Sequence, residues 1–197
     1  MGITIHYSGR FNPAASLPDL IEEVKDIAGI YNWKYTILEE TFATEELGKE
    51  QYHPKNLYGI VFSPPKSEPV WFSFLSNGRM SAPPLLQCWG KPKNKTEAAY
   101  LYMLFTKTQF AGAAIHKLVV HILKYISQKY LLDFTVKDEG YYWETGDEKL
   151  LEDTFKQYTS LIEGFATSLE TFPVNEGESF MDYFERMMKI VNEKYGK

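Results

Sequence analysis

Cysteine is almost missing from this chain. Cys88 stands alone among 197 residues, so no internal disulfide can form. The fold must hold itself by burial and hydrogen bonding, and the default compartment is the reducing cytoplasm. Long apolar runs are missing too, and none approaches the ~18 residues of a membrane span. Met1 to Tyr7 lack a basic stretch followed by an apolar one, which predicts no secretory signal. Gly2 suits myristoylation, but that pattern wants Ser or Thr at position 6, where His6 stands. Positive charge is in short supply: 21 Lys plus Arg against 26 Asp plus Glu leave a net charge of -5 and a pI near 5.5. Nucleic-acid binders need a basic surface that releases counterions, so nucleic acid is not an expected partner, and neither is a membrane. The longest basic cluster, Lys91 to Lys95, reads as a solvated loop.

Familiar catalytic signatures are absent. There is no nucleophile elbow, no dinucleotide-binding glycine motif, no P-loop and no HExxH pair. The four histidines are His6, His53, His116 and His121. His116 and His121 fall about 140° apart on a helix, so they do not share a metal as an i, i+4 pair does. No metal and no cofactor is expected.

What the chain does have is apolar and aromatic mass. Hydrophobic residues make 44% and charged residues 24%, enough for one globular domain with a short appendage. Tyr, Phe and Trp reach 16%, which serves either a thick core or the lining of a pocket.

Ile3, Ile5 and Tyr7 alternate with Thr4, His6 and Ser8, the period of a half-buried strand. Ser8 to Pro13 read as a loop. Ser16, Pro18 and Asp19 make a helix start, and Leu17, Leu20, Ile21, Val24, Ile27, Ala28 and Tyr31 form its apolar stripe. Strands are predicted over 34–39, 57–63 and 70–75, with Asn77-Gly78 as a type I′ hairpin turn. Residues 41–55 read as a polar loop. Further strands are predicted over 85–89 and 98–105. A helix over 113–130 would bury Ile115, Leu118, Val119, Ile122, Leu123 and Ile126, and a short strand follows at 134–136. Asp147 caps a long helix on which Leu151, Phe155, Tyr158, Ile162, Phe165, Leu169 and Phe172 recur every 3.5 residues. After a break at 173–178, Phe180, Phe184, Met187 and Val191 repeat similarly.

These elements predict an α+β fold: an antiparallel sheet with helices on one face, in the order β-α-β4-α. That order resembles the TBP-like and helix-grip folds. The expected division is a core over 1–146 and a helical hairpin over 147–197, packed on the core or on a partner subunit.

Two segments carry the polar chemistry. Thr106, Lys107, Thr108 and Gln109 lie between a strand end and a helix N-terminus, where N–H groups and the helix dipole favour an anion. The same residues also read as a plain helix-capping loop. Asp138, Glu139, Tyr142, Trp143 and Glu144 form a dense acidic and aromatic loop, fit for acid–base work or for stapling the loop to the body. His116 flanks the first segment, and His6 points to the sheet face opposite Ile3 and Ile5.

The segments Thr106-Lys107-Thr108-Gln109-Phe110-Ala111-Gly112 with His116, and Asp138 to Asp147, resemble a family of uncharacterised bacterial proteins. That family has a similar opening strand, here Ile3 to Arg10. The resemblance spans roughly 1–150 and implies a bacterial cytoplasmic protein, with no activity to carry over. The expected function is a module that binds a small anionic ligand between the two segments and the open sheet face. Lys107 would offset its charge, and Tyr142 or Trp143 would stack on it. The alternatives are an interaction module that forms a homodimer through residues 151–191, and a hydrolase using His6 or His116 with Asp138 or Glu139.

Overall fold

The computed structural model describes residues 2–42, 47–53, 56–171 and 173–195. Phe172, part of the expected heptad seam, and parts of the 41–55 loop lie outside the described residues, as do Met1, Gly196 and Lys197. The chain is mixed α+β, with seven helices and two small antiparallel sheets among the described residues.

The first strand, β1 (Thr4–Phe11), alternates as predicted: Ile5 and Tyr7 are buried and Thr4 and His6 half-buried. It runs on through Ser8-Gly9-Arg10, which the sequence reading assigned to a loop. In helix α1 (Leu17–Ile30) the Ser16 hydroxyl accepts from the Asp19 N–H at 3.3 Å. Leu20, Ile21, Val24 and Ala28 are buried, whereas Tyr31 lies beyond the helix and is exposed. Strands β2 (Lys34–Ile37), β3 (Tyr58–Ser63) and β4 (Val70–Phe74) form one sheet in that order, with β3 central and largely buried.

Three expectations are corrected here. The Asn77-Gly78 hairpin forms, but only Gly78 has positive φ, at +81°. The Gly78 N–H donates to the Leu75 carbonyl and the Leu75 N–H to that of Arg79, as in a type I turn closed by a left-handed glycine rather than a type I′ turn. Residues 85–89 belong to helix α2 (Pro83–Trp89), not to a strand, because two prolines preset helical φ at its first turn. Most of 98–105 is not a strand either. Helix α3 (Lys95–Tyr100) starts where Asn94 accepts from the Glu97 N–H, and the Glu97 carboxylate reaches back to the Lys93 N–H. This local capping outweighs the apolar run behind it, and only β5 (Leu104–Lys107) is extended.

Helix α4 (Ala113–Tyr130) has the predicted limits. Its buried stripe is rotated toward Val119, Val120, Leu123 and Ile126, and His116 is inside it. The last strand, β6 (Leu131–Asp138), leads into α5 (Tyr142–Thr145), α6 (Glu148–Thr171) and α7 (Phe180–Tyr195). Leu151 and Phe155 of α6 join the core, and α7 packs chiefly on α6.

The second sheet has the order β5-β1-β6, both pairings antiparallel. The single sheet expected from sequence is thus split, and α2 and α3 interrupt the β-α-β4-α order. The two sheets are spliced by the return arm of the Gly78 hairpin. The Phe11 N–H donates to the Gly78 carbonyl at 2.8 Å, and the Met80 N–H to the Gly9 carbonyl at 3.0 Å. A buried relay adds a second link. The Trp71 N–H donates to the Tyr7 hydroxyl, that hydroxyl to Thr106 Oγ1, and Thr106 to the Pro69 carbonyl. Burial pushes the Tyr7 phenol up to about 12 despite the Thr106 and Trp71 bonds.

Candidate functional site

Because β5 and β6 both run antiparallel to β1, their C-terminal ends flank its beginning. The segments that follow them, 106–112 and 138–147, therefore meet at Ile3 and Thr4. Gln109 Oε1 accepts from the Ile3 N–H at 2.9 Å, and the Thr108 N–H donates to the Ile3 carbonyl at 3.0 Å. Glu139 Oε2 accepts from the Thr4 N–H at 2.9 Å, and the Glu139 N–H returns a bond to the Thr4 carbonyl.

Behind this clamp lies a polar array with no exposed side chain. Thr108 Oγ1 is 2.7 Å from His116 Nδ1, and His116 Nε2 is 3.1 Å from Asp138 Oδ2 and 3.0 Å from Oδ1. The carboxylate only accepts, so Nε2 carries a proton, while Thr108 Oγ1 pairs with Nδ1 and also lies 3.4 Å from the Ile3 carbonyl. Asp138 is fully used. Its Oδ1 accepts from the Gly140 N–H at 2.7 Å, and its Oδ2 from the N–H groups of Tyr142 and Trp143 at 2.9 and 3.0 Å. The last two bonds cap α5. Burial works to raise the Asp138 pKa, but the His116 hydrogen bond and charge, helped by the Trp143 and Gly140 N–H groups, hold it below the ordinary value. Gly140 is needed here, since a Cβ would lie 2.8 Å from both His116 Nε2 and Leu151 Cδ1.

Hydroxyl, imidazole and carboxylate follow the order of a nucleophilic triad. Thr108 and His116 are both 0% exposed and Asp138 3%. A nucleophile has to face a cleft to meet a substrate, and Thr108 Oγ1 is sealed inside, with the Phe155 ring edge-on to His116 at 5.5 Å.

The other residues singled out from sequence are placed as follows. Thr106 is buried in the Tyr7 relay, and Gln109 is 5% exposed. The Lys107 ammonium lies 5.7 Å from the Phe110 ring centroid, and its backbone N–H donates to Glu68. The Tyr142 hydroxyl pairs with His121 Nε2 at 3.2 Å. Trp143 packs edge-on against Phe134 and lies under the Lys124 ammonium. Glu144 accepts weakly from the Asp138 N–H. His6 does lie on the half-exposed sheet face, its Nε2 3.7 Å from Glu139 Oε1 and its ring beside Phe105. Most of the named residues are thus brought together, but they spend their hydrogen bonds on one another and on the backbone.

The chain matches no family profile, no curated protein and no solved structure. Among the described residues, no three His, Cys, Asp or Glu side chains are grouped to hold a metal ion, and no helix is long and apolar enough to cross a membrane.

The opposite end of β1 carries a site that the sequence reading missed. A cleft of about 730 Å³ is lined there by Ser8, Arg10, Lys49, Asn77, Arg79 and Tyr102, among others. Arg10 of β1 and Arg79, on the return arm of the hairpin, form an isolated antiparallel bridge. Asp133, left-handed at φ +51°, sits where the β1–β6 register shifts and accepts from Arg10 Nε at 3.0 Å and from Nη2. The Arg79 guanidinium lies over Tyr102, its carbon 3.4 Å from the ring centroid. Asn77 is buried, and its Oδ1 accepts from the Arg79 N–H. The only signal in the sequence was an arginine just after a hairpin turn.

Proposed function

We propose that this chain is a binding module for a small anion, a carboxylate or phosphate compound held in the Arg10–Arg79 cleft. The observation that carries the reading is Arg79. Its guanidinium is fixed by a ring face, so its in-plane N–H donors remain for a ligand, and no carboxylate among the described residues pairs with it. Planar guanidinium forks recognise carboxylate and phosphate in two-point fashion. Arg10, whose Nε and Nη2 are taken by Asp133, adds a second guanidinium to the cleft. Arg10, Arg79 and Lys49 face Glu50 and Asp133 in the lining, an excess of positive charge on an acidic chain. Within this reading, the Thr108–His116–Asp138 array is a scaffold that fixes the start of the strand whose far end supplies Arg10. A cytoplasmic setting, kinship with the bacterial family that shares the two segments, and a TBP-like or helix-grip type of fold belong to the same proposal. The lone cysteine supports the first, the segment resemblance the second, and the β1-α1-β2-β3-β4 opening the third.

Isothermal titration calorimetry with inorganic phosphate and with citrate tests the reading. The wild-type chain should bind at least one of them saturably, and Arg79→Ala should lose that heat. No binding of either anion at about 10 mM, or equal binding by Arg79→Ala, would refute it.

A further inference from the structure

The 3.5-residue repeat of α6 changes its surroundings half-way along. Leu151 and Phe155 are in the core. Beyond the core, Gly164 and Ser168 are buried on α6, and Tyr183, Met187 and Val191 are buried on α7, which packs chiefly on α6. In the rest of the repeat, Ile162 and Phe165 are half-buried and Leu169 is 45% exposed. Helix α7 adds a second apolar line one residue off its own buried line: Phe180, Phe184 and Met188, spaced four apart. Phe180 is 77% exposed and Phe184 39%, and Phe184 touches Phe165 with ring centroids 5.5 Å apart. The two lines form one apolar face across the hairpin. A face of this kind, with spacings of three and four on α6 and of four on α7, offers ridges and grooves that another helix matches.

The flanking charges say which helix. Glu185 and Lys189 lie along the outer border of the Phe184–Met188 line, both exposed. If two copies of α7 cross antiparallel about a two-fold axis near Met187, Glu185 of each copy stands opposite Lys189 of the other. Both borders are then satisfied at once, as a self-complementary interface requires. The loop between the helices is already set for this face. Arg186 donates from Nε and Nη2 to Glu178 at 2.7 Å each and from Nη2 to the Pro173 carbonyl, which locks the turn below Phe180. We propose that the chain forms a two-fold homodimer in which two α6–α7 hairpins close into a four-helix bundle through Phe165, Leu169, Phe180, Phe184 and Met188. This is independent of the anion site.

Sedimentation equilibrium of the full chain tests it, with helicity followed by circular dichroism. The wild type should have twice the 22.8 kDa chain mass at about 100 μM. Phe184→Glu should be monomeric with helicity unchanged. Glu185→Lys sets Lys against Lys at both borders and should weaken the dimer about tenfold or more. Combining Glu185→Lys with Lys189→Glu should restore it. A monomeric wild type, including one whose hairpin pairs instead with a different helical protein, overturns the proposal. So does a dimer that survives Phe184→Glu, or a paired reversal that recovers nothing.

Discussion

Replacing Asp138 with alanine is the sharpest probe of the buried array. The substitution removes the acceptor of four bonds, from His116 Nε2 and from the N–H groups of Gly140, Tyr142 and Trp143. Each neutral bond contributes about 1 kcal/mol net, the charge-assisted one about 2, and buried donors left without partners cost more than the bonds they lose. Allowing for non-additivity, the loss should be about 3–5 kcal/mol, a large share of the roughly 5–15 kcal/mol that holds such a chain folded. In urea this moves the midpoint down by about 1–2 M. The same carboxylate has an acid signature. Its pKa is lower folded than unfolded, so its contribution is complete above the unfolded value near 3.8 and is lost as pH falls through the folded one. Wild type should therefore lose stability below about pH 4 in a component that Asp138→Asn lacks. A loss under about 1 kcal/mol in Asp138→Ala, or identical acid profiles for wild type and Asp138→Asn, would refute the reasoning.

Two further outcomes follow from the geometry. Tyr7→Phe leaves the Trp71 N–H without its acceptor and cuts the relay between the sheets, so chemical denaturation should show a loss of about 1–3 kcal/mol. Glu178 is held down at about 2 by the Arg186 fork and the Asn175 N–H, against an ordinary 4.5. Its contribution to the α6–α7 turn is present above 4.5 and fades as pH falls toward 2. Amide protection in 173–178, measured against the intrinsic exchange rate at each pH, should fall over that window in wild type, whereas in Arg186→Ala it should be low already at neutral pH.

Much of the scaffold was legible because local rules and tertiary packing agree there. Alternation marks β1, a Ser16 cap marks α1, apolar spacing marks α4, and Asn77-Gly78 marks a turn. The reading failed where a short apolar run fits either state. Strands are predicted over 85–89 and 98–105, although Pro83-Pro84 and the Asn94-x-x-Glu97 box are the better guides. The two polar segments stand out in the sequence, and antiparallel pairing joins them at one end of β1. That they satisfy each other was not legible, because the Thr108–His116–Asp138 contacts depend on a register no single segment encodes. The cleft was invisible for the same reason. Its residues come from positions 8–10, 48–50, 77–79, 99–103 and 133, which only strand pairing assembles.

The central place of β1 bears on how the chain is made. It precedes both strands that flank it, and the bond from the Thr4 N–H to Glu139 spans 135 residues. At about 5–20 residues per second, the ribosome needs on the order of ten seconds to deliver the second flanking strand. Until β5 emerges, Ile3, Ile5 and Tyr7 have no flanking strand to pair with, and from then until β6 arrives β1 is an open edge on one side.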